Sequence, residues 1–193
     1  MGWKNIKEHF SIRKFVYVKG DDVWIGTLAN DLVGVLRISP NGSVSIDQPA
    51  WCNQDLQRVY DDLSSHGEKV KELLQRPDHF RSSIKVYTFN GSNISEAYCE
   101  KPGWPNNTHD GRIMFVGRYS QDRDQVIAWA IENAQYRIEK AEQELEALLS
   151  YDLLTKGELV LLKQSYAERL KVAKDDLSAL HIEASKLPKN SRR

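Results

Sequence analysis

Cysteine is nearly missing from this chain: two residues, Cys52 and Cys99, in 193, and no CxxC pair. That excludes a disulfide framework and a structural zinc site built on several thiolates, and both residues are expected as reduced, partly buried thiols. Long apolar runs are missing too. No stretch approaches the ~20 uninterrupted apolar residues that cross a bilayer, so no membrane partner is expected. MGWKNIKEHF has no apolar signal core, so the chain is expected to begin here and remain in the cytoplasm, where the sequons at Asn41, Asn90, Asn93 and Asn106 go unused. Met1-Gly2 is followed by Ile6 where a myristoylation signal wants Ser or Thr. No phosphate loop or dinucleotide fingerprint occurs. The five histidines are scattered without ligand spacing, so neither a metal nor a cofactor is expected.

An excess of charge of one sign is also lacking, since 27 basic residues meet 27 acidic ones. The balance is uneven along the chain. Residues 1–20 carry Lys4, Lys7, Arg13, Lys14 and Lys19 against Glu8, a net +4, and residues 186–193 carry another +4. The body between them is therefore acidic. Phosphate contacts supply most nucleic-acid affinity, and a binder gathers its basic charge on one face. A dedicated nucleic-acid-binding role is disfavoured; a nucleic-acid-associated protein gripping phosphates with its basic ends is kept as an alternative.

What the chain does have is clear punctuation. Trp3, Ile6 and Phe10 fall at helical spacing and predict a short opening helix. FVYVK and DVWIGT flank Gly20-Asp21, and LVGVLRIS and SVSID flank Pro40-Asn41-Gly42. Together they predict a four-stranded antiparallel meander over 15–47, with Trp24 in its core. A helix capped by Asn53 should run from Gln54 to Gln75, broken near Ser64-Ser65-His66-Gly67 and stopped at Pro77, and cover one face of the sheet. Trp51, just before it, also reads as core. IKVYTF and NISEAYC around Asn90-Gly91 predict a second hairpin, and RIMFVGRY one further strand.

From Asp122 the period changes. Ile127, Ile131, Ala134, Ile138, Ala141, Leu145 and Leu148 repeat at alternate spacings of four and three, as do Tyr166, Leu170, Ala173, Leu177, Leu180, Ala184 and Leu187. Thr155 with Glu158 is a capping-box pattern between them. Two helices of matched length then make an antiparallel hairpin with Trp129 locking its base to the sheet. Two helices alone cannot bury both flanks of such a seam, so Ile127, Ile131, Ile138, Leu145, Leu170, Leu177 and Leu180 are expected to pair two copies as a homodimeric four-helix bundle. The competing arrangement folds the hairpin back on the sheets. The expected class is α+β: small antiparallel sheet units with a covering helix, then a long C-terminal helical hairpin (coiled coil). The expected parts are 1–80 (sheet plus helix), 81–120 (second small sheet), 121–187 (helical arm) and 188–193 (basic tail).

The chemistry concentrates in residues 102–111, PGWPNNTHDG. Trp104, held between Gly103 and Pro105, is presented at low entropic cost, the property that favours tryptophan at interaction hot spots. Trp104, Pro105, Asn106, Asn107, His109 and Asp110 are therefore candidate residues of an interaction loop, although Trp104 as a lid over the small sheet is an equal alternative. A small hydrolase or transferase with Cys99 as nucleophile and His109 as base is the enzymatic alternative. It is the weaker one, because His109 and Asp110 are adjacent in a loop and no nucleophile elbow accompanies them. No catalytic residue is assigned.

GWKNIKEHF, DVWIG, CEKPGWPNNTHDGRIMF and AWAIENA together resemble a group of small non-virion accessory proteins of tailed bacteriophages and prophages. The resemblance covers most of residues 1–135. It implies a protein made in the cytoplasm of an infected bacterial cell that binds, and modulates or inhibits, a host protein in host takeover or anti-defence. It carries no catalytic residues, and it sets an expectation about context rather than chemistry.

Overall fold

The structure is a computed structural model, and it describes residues 2–26, 34–46, 54–148 and 156–186. The described residues form five helices and two small antiparallel sheets, an α+β fold divided into two compact units. Unit 1 is Met1–Ile84 with Tyr98–Phe115; unit 2 is Lys85–Ala97 with Val116–Arg193. None of the described helices is long and apolar enough to cross a membrane.

Unit 1 opens with α1 (Trp3–His9), whose Trp3 and Ile6 are buried one turn apart. Four strands follow in the order β1 (Phe15–Lys19), β2 (Asp22–Gly26), β3 (Gly34–Ile38) and β4 (Val44–Ile46). Val16, Val23, Ile25, Leu36 and Ile38 enter the core. Each side chain of this kind contributes about 1.5–3 kcal/mol by leaving water. Trp24 is not among them. Strand alternation places it beside Tyr17 and Arg37, half-buried, with Lys19 and Arg37 at 5.7 and 6.0 Å from its ring, so it serves as a cation platform. Trp51, Asn53 and Thr155 lie outside the described residues.

The core is closed by α2 (Gln54–Ser65) and α3 (Gly67–Gln75), which break at His66 as the Ser-Ser-His-Gly stretch predicts. Leu56 and Leu63 of α2, with Val70, Leu73 and Leu74 of α3, complete the cluster. Chain reversal after α1 uses an unusual residue. Ser11 adopts φ +50, with its N–H on the Glu8 carbonyl (3.2 Å) and the Ile12 N–H on that of Lys7 (2.9 Å). This is the Schellman closure of a helix, at the position glycine normally fills.

Unit 2 combines a three-stranded sheet, ordered β6–β5–β7, with two long helices. The hairpin strands are β5 (Ile84–Asn90) and β6 (Asn93–Cys99), whose outer ends belong to unit 1, and β7 is only Tyr119–Ser120. The third strand expected over RIMFVGRY is therefore present only from Tyr119. Ile113 makes a single bridge to Asn107, Met114 donates to the Asn106 carbonyl (2.9 Å), and Gly117 turns the chain at φ +74. Ile113 and Met114 are apolar because they are buried in unit 1, not because they line a ladder.

Asp122 caps α4 (Arg123–Ala147), accepting from the N–H groups of Asp124 (2.9 Å) and Gln125 (3.4 Å). Helix α5 (Lys156–Ser185) packs along it. Arg123 pairs with Glu183, Arg137 with Asp176 and Glu142 with Lys174, so the helices run antiparallel. Ala130, Ala134, Ala141 and Ala173 are buried, and their small side chains permit close approach. Phe89 joins Val126, Ala130, Ala134 and Leu180 in one cluster, with Trp129, Tyr87 and Ile94 against it. Trp129 of α4 packs against this cluster, whose one strand residue is Phe89 of β5. Most of the second sheet and the helical pair fall in the same compact unit.

Candidate binding surface

The PGWPNNTHDG loop lies wholly in unit 1, and its polar half is spent on holding its own shape. Thr108 is buried. Its hydroxyl bonds the Asp110 carboxylate and the Arg112 carbonyl (3.1 Å), and accepts from the Arg112 N–H (3.1 Å). Arg112 returns to Asp110 through Nε (2.8 Å) and Nη2 (2.7 Å). Burial alone would raise the Asp110 carboxyl, but the bonds from Arg112 and Thr108 hold it below the usual carboxylate range. Asn107 donates to the carbonyls of Val16 (3.0 Å) and Gly111 (2.9 Å), which ties the loop to β1. Asn106 closes the turn on the Gly103 carbonyl at 2.9 Å.

His109 is equally committed. Its ring lies 3.8 Å from that of Phe80, nearly parallel, and its carbonyl accepts from the Trp3 indole (3.0 Å). Nε2 faces the Ser82 carbonyl at 3.1 Å. A carbonyl only accepts, so in this contact Nε2 is the donor and Nδ1 is left as the ring's acceptor. Cys99 has no exposed surface, its thiol donates to the Ile84 carbonyl (3.6 Å), and burial pushes its pKa up. A nucleophilic thiol needs the opposite shift. Cys99 is therefore expected to resist iodoacetamide at neutral pH in the folded protein and to react on unfolding. Peptide mapping checks this, and rapid selective labelling of Cys99 would revive the enzymatic alternative.

The apolar half of the loop behaves differently. Trp104 stacks on Phe15 (centroids 6.0 Å apart, planes 18° apart) and on Phe115 (5.6 Å, 26°). Trp104 nevertheless keeps 38% of its surface in solvent and Phe115 keeps 44%, which large apolar side chains do only where nothing covers them. The Trp104–Pro105 peptide bond is cis. Sequence reading picked out Trp104 but missed Phe15 and Phe115, which lie 89 residues before it and 11 after it in the chain. Their ring contacts are the signal, and no local pattern announces them.

Beside the loop is a cavity of 410 Å³, with Pro105, Asn106 and Asn107 among its lining residues. Lys4 is fixed in it, its ammonium on the His79 carbonyl (2.7 Å) and Glu100 (2.8 Å), with Glu8 at 3.6 Å and the Phe80 ring at 5.0 Å. Lys14 pairs with Asp55 at 3.2 Å. Two of the basic charges near the start of the chain are thus neutralised internally, while most of the basic tail lies outside the described residues. Among the described residues no group of three or more His, Cys, Asp or Glu side chains is placed to hold a metal ion.

The seam residues divide by depth. Ile127 and Leu180 are buried, whereas Ile131, Ile138, Leu145, Leu170 and Leu177 are half-buried. On the outer flanks of the pair Tyr136, Leu161, Val172 and Ile182 are exposed.

No protein-family model matches the chain, and neither a curated protein nor a solved structure matches it. The site's own chemistry therefore carries the functional reading.

Proposed function

We propose that this chain is a non-enzymatic binding protein whose contact surface is the stack of Phe15, Trp104 and Phe115. The observation that carries this reading is the accessibility of Trp104 and Phe115 above a loop whose polar groups are already bonded internally. Such a surface is held in place before the partner arrives, so little ordering entropy opposes binding. In the setting that resemblance to phage accessory proteins implies, the partner is a host bacterial protein, which the chain modulates or inhibits. Full-length protein used as bait in bacterial lysate is expected to retain a partner that Trp104→Ala loses. Truncating a central aromatic anchor costs about 2 kcal/mol or more, roughly a thirtyfold loss of affinity. Retention of the same partner at equal strength by Trp104→Ala would overturn the reading, as would the absence of any partner.

We also propose that the helical pair forms a coiled coil that dimerises as a four-helix bundle. Exposed Tyr136, Leu161, Val172 and Ile182, with the half-buried seam residues, supply the apolar flanks that a second copy would cover. Light scattering is expected to give twice the 22.2 kDa of one chain, falling to one chain in Val172→Glu; a wild-type monomer refutes the dimer.

A further inference from the structure

The cavity beside the loop holds polar groups that the fold does not use. Lys4 is saturated by Glu100 and the His79 carbonyl. Half-buried Lys7 and exposed Lys101 line the same 410 Å³ together with Glu8 and Glu100, and neither of these two ammonium groups makes a hydrogen bond or ion pair among the described residues. Exposed Ser11 lines it as well, and its hydroxyl has no hydrogen-bond partner among the described residues. Ser11 stands where the backbone favours glycine, at φ +50, so a side chain there carries a conformational cost. Trp3, Ile12 and Phe80 give the cavity apolar walls, and its volume falls within the roughly 300–1,000 Å³ of small-ligand sites.

We infer that this cavity binds a small organic oxyanion, its acid head on Lys7, Lys101 and the Ser11 hydroxyl and its apolar body against Phe80, Ile12 and Trp3. Two cations and a hydroxyl without internal partners complement a carboxylate or a phosphate monoester, and the apolar walls give a ring or alkyl body somewhere dry to sit. Lys7 supports this independently: burial lowers its pKa, with Glu8 opposing, and a bound anion relieves that cost. The site is distinct from the Trp104 stack and needs no protein partner.

Calorimetry on the full chain tests it with phenyl phosphate, benzoate, inorganic phosphate and benzyl alcohol. One aryl acid or both should bind saturably at one site. The tighter of the two identifies the head group, and inorganic phosphate and benzyl alcohol should each bind at least tenfold more weakly. Lys7→Met and Lys101→Met keep the apolar stem and should each weaken binding at least tenfold, the loss expected for a hydrogen bond to a charged group. Ser11→Gly gives the sharpest contrast, with a higher melting temperature but a severalfold weaker affinity. No saturable binding of either acid, equal binding of benzyl alcohol or inorganic phosphate, or full affinity in both lysine variants would overturn the inference. So would Ser11→Gly that binds unchanged.

Discussion

Gly111→Ala is expected to lower the stability of unit 1 by about 3–4 kcal/mol, a large fraction of the roughly 5–15 kcal/mol that holds a domain folded. Two independent effects add. Gly111 sits at φ +86, where an L side chain costs about 1–2 kcal/mol. A Cβ there would lie 2.3 Å from Val18 Cγ2, 2.9 Å from Val18 Cβ and 3.1 Å from Trp3 Cδ1. Valine is stiff at χ1, so Val18 cannot turn aside, and overpacking of this kind costs about 1–3 kcal/mol. The backbone cannot move away either, because the Gly111 carbonyl accepts from both Val18 N–H (3.0 Å) and Asn107 (2.9 Å). Urea denaturation should show a lower midpoint, while the helical signal of unit 2 persists. Wild-type stability in Gly111→Ala would mean that the loop is not seated on β1 as described.

Asp176→Ala is expected to cost unit 2 about 2–3 kcal/mol, the range for truncating a charged hydrogen-bond partner away from water. Its carboxylate accepts from Arg137 Nη2 (2.7 Å) and from the Ser92 N–H (2.9 Å), so it joins α4, α5 and the β5–β6 turn through one side chain. Arg137 Nε is already buried without a partner, so losing Asp176 removes the ion pair that holds the half-exposed guanidinium. The same carboxylate sets the acid limb. Burial alone would raise its pKa, but the bonds from Arg137 and Ser92 reverse this and leave it lowered. A depressed folded-state pKa contributes stability above the unfolded value of about 3.9 and loses it as pH falls through the folded value. Glu183, lowered by its bonds from Arg123 and Lys186, acts in the same direction. Thermal melts below about pH 4 should therefore fall more steeply for the wild type than for Asp176→Ala. Parallel acid limbs would show that the contact is not made.

The local devices of this fold were legible in the sequence because they are written in neighbouring residues. The two-residue turn at Gly20-Asp21 and the longer one around Pro40-Asn41-Gly42 announce the meander, and Ser64–Gly67 announces the break between α2 and α3. The alternation of fours and threes from Ile127 announces the helical pair, although the sequence overstated how evenly that seam is buried. What failed was set by contacts between distant residues. RIMFVGRY has the composition of a strand, yet the demand for apolar residues at Ile113 and Met114 comes from the core of unit 1. Trp24 looks like core until the register places Arg37 beside it. Phe15 and Phe115 became part of the candidate surface only when Trp104 stacked on both, and Ser11 gives no sign in sequence that it closes a helix.

Amide hydrogen exchange on the retained complex tests the binding surface most directly. Binding through the aromatic stack should slow exchange at residues 14–17, 103–106 and 113–116, with the amides of 123–147 and 156–185 unchanged except at a dimer contact already present in the free protein. Protection confined to the helical pair, with residues 103–106 exchanging as in the free protein, would contradict the account.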